Sequence, residues 1–144
     1  MVAELETRLR RLEDEREIIR TLHAYGHALD YGYEDRFLDC FLPDGILIWP
    51  SVEPIVGHQE LRSAFRAHTH APQVYHKHFM VEPIILLEES GATVDSLFAR
   101  IDCYDGNPEI RSFGRYRDRL QRCGDGRWRF KERKAELEAR RANI

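Results

Sequence analysis

The chain has 144 residues and a mass of 17.0 kDa, one domain's worth, able to bury roughly 68% of the surface it exposes when unfolded. It is 42% apolar and 33% charged, with 22 Lys and Arg against 25 Asp and Glu for a net charge of −3. That excludes a disordered or fibrous chain and leaves no overall basic footprint for nucleic acid. No apolar run approaches the ~20 residues that span a bilayer, and the N-terminus is charged from Glu4 onward, unlike a signal peptide. Cys40, Cys103 and Cys123 are far apart and form no CxxC. A disulfide framework or zinc knuckle is therefore not expected, and reduced thiols in a cytoplasmic protein are.

Residues 4 to 29 read as one long helix. Leu5, Leu9, Leu12, Ile18, Ile19, Leu22 and Leu29 recur at helical spacings. Its first half, ETRLRRLEDERE, is charged and only narrowly apolar, suited to light packing or a partner subunit. Its second half, IIRTLHAYGHALD, is suited to a core. Glu34 to Phe41 reads as a short helix, Leu42-Pro43-Asp44-Gly45 as a turn, and Ile46 to Trp49 as a strand. Pro50 to Gly57 is a loop or hairpin return, and His58 to His68 a helix that Pro72 cannot continue.

The rest is strand-rich. Tyr75 to Leu87 is a candidate strand with a break near Pro83. Ser90-Gly91, Asp105-Gly106-Asn107-Pro108 and Gly124-Asp125-Gly126 are turns that separate strands at Thr93 to Tyr104, Ile110 to Arg122 and Trp128 to about Lys134. The tail AELEARRANI is polar and reads as a fraying end. Early helices followed by an antiparallel meander imply an α+β fold. No repeat or linker divides the chain, so residues 1–144 are expected to form one domain.

The seven histidines fall in three places: His23 and His27, then His58, His68 and His70, then His76 and His78. His76 and His78 are two apart on a strand and share a face. With Glu82 they suggest a metal site, but no HExxH or His-x-Asp signature supplies a matched third ligand. Asp30 closes a core-facing helix, where an acid is unfavourable for the helix dipole. This disfavours a capping role and suggests a carboxylate in a pocket. An Asp–His pair would hold the imidazole in one tautomer, stabilise its cation and make it a general base near neutral pH. Arg residues crowd the last two strands. Most suit a solvated outer face, and one turned inward could stabilise a developing oxyanion. No GxGxxG, P-loop or GxSxG elbow is present.

The segments EREIIRTLHAYGHALDYGYEDRFLDCFLPDGIL, GHQELRSAF, YHKHFMVEPIIL and GRWRFKER together resemble the SnoaL-like branch of the NTF2-like superfamily. Within it they are similar to scytalone dehydratases, hexachlorocyclohexane dehydrochlorinases and bile acid 7α-dehydratases. The resemblance covers residues 14 to 134. It implies a cone in which a curved antiparallel sheet wraps three helices around one central pocket. It also implies an Asp–His dyad that abstracts a proton and expels a leaving group without metal or organic cofactor.

Asp30 matches the family's dyad acid and His78 its base, with His76 the neighbouring candidate. Arg133 matches, by spacing from Trp128, an arginine of the dehydrochlorinase pattern. Tyr25, Tyr31 and Trp49 are candidates for the pocket aromatics. Glu82 stands where many members carry Asn and, with His76, is a further candidate to touch substrate. The dehydratases' second pocket histidine has no counterpart in SLFARIDCY. The implied activity is a lyase (dehydratase or dehydrochlorinase-like) or an isomerase acting on a small apolar cyclic molecule, in a dimer or trimer formed through the sheet's outer face. Because the superfamily also holds cyclases, epoxide hydrolases and non-catalytic subunits, two other readings stay open. One is a ligand-binding or assembly module resembling the small subunit of aromatic-ring dioxygenases. The other is a metal enzyme using His76, His78 and a carboxylate.

Overall fold

The computed structural model describes residues 1–142. Helix α1 runs Val2–Tyr31, α2 Glu34–Asp39 and α3 Gly57–Ala67. The strands are β1 Phe41–Ile48, β2 Ile55–Val56, β3 His76–Leu87, β4 Gly91–Tyr104, β5 Asn107–Arg122 and β6 Trp128–Arg140. They form one sheet in the order β2-β1-β6-β5-β4-β3. The architecture is the expected α+β, with one difference. The meander β3 to β6 is antiparallel, but β1 lies parallel to β6, so the sheet is mixed.

Only the second half of α1 is packed. Ile18, Leu22, Tyr25 and Leu29, at steps of four, three and four, are buried, whereas Leu5, Leu9 and Leu12 stay exposed. The helix ends because Gly32 takes φ 79°, a left-handed conformation open to glycine, and its N–H closes on the Ala28 carbonyl at 2.8 Å. Helix α3 buries Leu61 and Phe65, four apart on one face. These faces pack with Phe37, Phe41, Phe130 and Trp128 into one core against the inner face of the sheet. Cys40 is in that core, and burial pushes its thiol up to about 12. This fits a structural role rather than a nucleophilic one.

Bulges set which side chains face inward. Leu42 to Gly45 is not a turn that precedes a strand but an irregularity within β1, whose register against β6 shifts between Phe41 and Ile46. The predicted break near Pro83 is a bulge in which Glu82 adopts φ 53°. The alternation resumes beyond it, so Phe79, Val81, Ile84 and Leu86 all stand exposed on the outer face. Most of the polar tail is strand rather than a loose end. Residues 135 to 140 continue β6 and pair with β5 from Ser112 to Tyr116. Ladder hydrogen bonds and inward Ala135 outweigh the polar composition, which only marks the solvent side. Gly114 permits the β5–β6 bulge, since a Cβ there would lie 2.0 Å from the Glu136 carbonyl oxygen. Among the described residues no helix is long and apolar enough to cross a membrane.

Candidate active site

The end of α1 and the start of β3 are brought together at Gly26, where an added Cβ would meet the His78 carbonyl oxygen at 3.3 Å. This close approach places Asp30, only 4% exposed, against both β3 histidines. His78 Nδ1 lies 2.6 Å from Asp30 Oδ1, and the His78 backbone N–H donates to Asp30 Oδ2 at 3.0 Å. His76 Nδ1 also reaches Oδ1, at 3.0 Å, while its Nε2 lies 2.7 Å from the Thr69 carbonyl oxygen. Both nitrogens of His76 thus face acceptors, and both bonds form together only in the imidazolium form. His78 has one acceptor, at Nδ1. Its Nε2 makes no hydrogen bond among the described residues, and its side chain keeps 11% exposure.

The electrostatics follow from this geometry. Burial opposes ionisation of Asp30, but the hydrogen bonds from His76 and His78 outweigh it and hold the carboxyl well below the usual range. Burial also pushes His78 below an ordinary histidine, against the upward pull of Asp30. His78 is thus held at Nδ1 by a carboxylate, with Nε2 open.

A metal does not fit this arrangement well. Asp30, His76 and His78 offer ligand atoms within 4.8 Å of one another. However, the 2.6 Å between Asp30 Oδ1 and His78 Nδ1 is shorter than the about 2.9–3.3 Å that separates two donors on one ion at ordinary bond lengths. It is the separation of a charge-assisted hydrogen bond.

Where the sequence leads one to expect a single pocket, two cavities share Tyr25, His78 and Tyr116 as a common wall. One, about 380 Å³, lies between α1 and β3 and reaches Asp30 and Arg133. The other, about 290 Å³, lies over β4, β5 and β6 and is closed by Trp49 and His68. The Trp49 indole N–H donates to Tyr25 Oη at 3.0 Å, which leaves the Tyr25 hydroxyl proton free to donate elsewhere. Burial raises the Tyr25 pKa well above that of an ordinary phenol, so it remains a donor.

Arg133 is fully buried, with its Cζ 3.6 Å from the Tyr116 ring centroid and 4.3 Å from that of Tyr25. Its Nε is 3.1 Å from Asp118 Oδ1, a contact of charge without hydrogen-bond alignment, so the guanidinium nitrogens remain without hydrogen-bond partners. Burial raises Asp118 to about 7 despite the opposing pull of Arg133.

Asp30, His78, Tyr25, Trp49 and Arg133 thus converge around the cavities. Tyr31 is half-exposed at the rim of the larger one and stacks on His27. His76 lies behind Asp30 and lines neither cavity. Glu82 is exposed on the β3 bulge and also lines neither. The sequence pattern does not single out His68 or Tyr116, which line the cavities. Nor does it single out Arg100, Arg111 or Arg140, which reach the smaller cavity. A second pocket histidine does exist, but it comes from the end of α3 rather than from a strand.

The family model for the SnoaL-like domain matches residues 10–134. The chain belongs to the SnoaL-like family. Members of the fold include an NTF2-like protein with a cystatin-like fold from Novosphingobium aromaticivorans. It superposes with a TM-score of 0.87 at 22% identity, over 99% of this chain and 93% of that one. A protein from the same organism, named as a candidate scytalone dehydratase, gives 0.78 at 19% identity over 94% and 91%. ActVI-ORFA from Streptomyces coelicolor gives 0.76 at 16% over 86% and 96%. No curated protein matches the sequence. At these identities the solved structures establish the fold.

Burial lowers His78, and it lowers His68 from 6.5 to about 4. Below about pH 6.5 the unfolded chain binds protons at these histidines that the folded chain takes up only at lower pH, so their contribution to stability is full above that pH and falls as pH drops towards 4. Asp118, raised to about 7, acts in the opposite direction over this range, but equally in parent and variant. The denaturant midpoint of the parent relative to His68→Gln is therefore expected to fall from pH 7.5 to pH 5; a pH-independent difference contradicts the assignment.

Proposed function

We propose that this SnoaL-like protein is a cofactor-free lyase of the dehydratase or dehydrochlorinase kind, or an isomerase, acting on a small, mostly apolar cyclic molecule. The observation that carries this reading is the His78 imidazole, fixed at Nδ1 by a buried carboxylate and open at Nε2 on a wall shared by two cavities. The name borne by the candidate scytalone dehydratase of the same fold agrees with it, although fold alone does not set the reaction.

His78 Nε2 takes a proton from a carbon beside a carbonyl or leaving group. The C–H electron pair becomes the new double bond as the leaving group departs. The imidazolium gives its proton to a departing hydroxyl, which leaves as water; to solvent, when the group leaves as halide ion; or, in an isomerisation, to another carbon. Asp30 stays ionised throughout, orienting the ring and balancing its charge. His76 is a positioning residue that fixes Asp30 from behind. The Tyr25 hydroxyl donates to the substrate oxygen, and Arg133 places positive charge where electron density builds.

Turnover is tested with cyclic alcohols and halides, followed by release of water or halide. His78→Gln and Asp30→Asn are each expected to slow a substrate so found by ~10²–10⁴, the usual worth of a positioned general base. Unchanged turnover in both contradicts the dyad.

The chain's partner is proposed to be itself. Phe79, Val81, Ile84 and Leu86 form an exposed apolar row along β3, of the kind that marks an interface. Sedimentation velocity is expected to show a dimer or trimer that Ile84→Lys dissociates; a monomeric parent contradicts this.

A further inference from the structure

The smaller cavity has a chemical polarity that a purely apolar substrate does not require. His78 on β3 stands opposite Arg100 on β4, Arg100 opposite Ser112 on β5, and Ser112 opposite Arg140 on β6. Directly opposed residues on neighbouring strands share a face, so these four form one row across the inner side of the sheet. All four line the cavity. The row covers three strand spacings, ~14 Å of backbone from His78 to Arg140.

A bulge adds a third cation. The β4–β5 register shifts between Arg100 and Ile101, which leaves Arg111 as the extra residue beside Ser112. Consecutive residues of a regular strand face opposite sides, but here Arg111 and Ser112 both reach the cavity.

The charges at this end do not cancel. Asp102 is the acid that pairs with them. It takes Arg100 Nε and Nη2 at 2.9 and 3.3 Å and Arg111 Nη1 at 2.9 Å. Arg140 forms no ion pair among the described residues. The neighbouring Glu109 is occupied by Arg141, at 3.4 Å. Three guanidiniums against one carboxylate leave two positive charges at the far end of a cavity whose near end is His78. Asp102 also restrains Arg100 and Arg111 while leaving N–H groups of each unused, a pre-organised fork for a planar oxyanion.

We infer that the substrate is a carboxylic acid, its reacting carbon at His78 and its carboxylate held by Arg111 and Arg140. This deepens the proposed function and rests on His78 as the base. The apolar ring occupies the stretch between, against Trp49 and Phe98.

The test separates binding from turnover. 4-Phenylbutanoate and its neutral counterpart 4-phenylbutanamide are titrated into the full chain at pH 7.5 in chloride-free buffer. Amide and Trp49 indole shifts are followed by ¹H–¹⁵N NMR. The acid is expected to bind about tenfold more tightly than the amide, in line with charge-assisted hydrogen bonds. In the Arg111→Gln/Arg140→Gln double variant, checked for its folded spectrum, the two affinities should converge through loss of acid binding. In His78→Gln the preference for the acid should persist. The inference is overturned by equal affinities in the parent, by no saturable shift with the acid, or by a preference that survives the double substitution. It is equally overturned by a preference that vanishes in His78→Gln, since the anion would then sit on the imidazole. If the acid preference holds but turnover is indifferent to His78, the carboxylate site stands and the elimination reading falls.

Discussion

The structure depends on one buried carboxylate. Asp30 joins the end of α1 to the start of β3 through two imidazoles and a backbone N–H. An ionised group at that depth is tolerated only when its oxygens are filled, and removing the partners of a buried charge costs about 3–5 kcal/mol. The two histidines divide the work. His76, with an acceptor facing each ring nitrogen, links Asp30 to the Thr69 carbonyl. His78 is held at Nδ1 and keeps Nε2 without a hydrogen-bond partner among the described residues. His70 braces the same corner, its ring nitrogens 2.6 Å from the Leu29 and 2.8 Å from the Phe65 carbonyl oxygens.

The second buried charge is solved differently. Arg133 has Asp118 beside it but poor hydrogen-bond alignment, and its guanidinium lies on aromatic faces instead. Cation–π contact stabilises such a group by about 2 kcal/mol or more when desolvated. This leaves its N–H groups unspent at a cavity wall. The outer-face arginines contrast with it: Arg115 and Arg117 pair with Glu136 in solvent, where an ion pair contributes little. The crowded arginines of β5 and β6 are thus two populations, separated by strand alternation and its bulges.

Local periodicity was a good guide where a single element decides the outcome. The buried half of α1, the Gly-rich turns of the meander and the shared face of His76 and His78 were all readable, and the SnoaL-like resemblance pointed to Asp30 and His78. What remained hidden depends on pairing between distant strands. The parallel contact of β1 with β6 leaves no local mark. Continuation of β6 to Arg140 rests on partners in β5 about 25 residues earlier. Arg111 faces the cavity because of a bulge, which breaks the alternation that sequence reasoning must assume. The same applies to Glu82, whose bulge leaves it outside.

Asp30 and His78 are proposed to act as one proton-handling unit. An NMR titration of the His78 imidazole in the parent and in Asp30→Asn tests it most directly. Burial lowers this imidazole's pKa and the Asp30 carboxylate raises it, so removing the charge while keeping the shape should lower the pKa further. A clear drop is the result the structure predicts. An unchanged titration would mean that the carboxylate does not govern the imidazole, and would contradict the dyad.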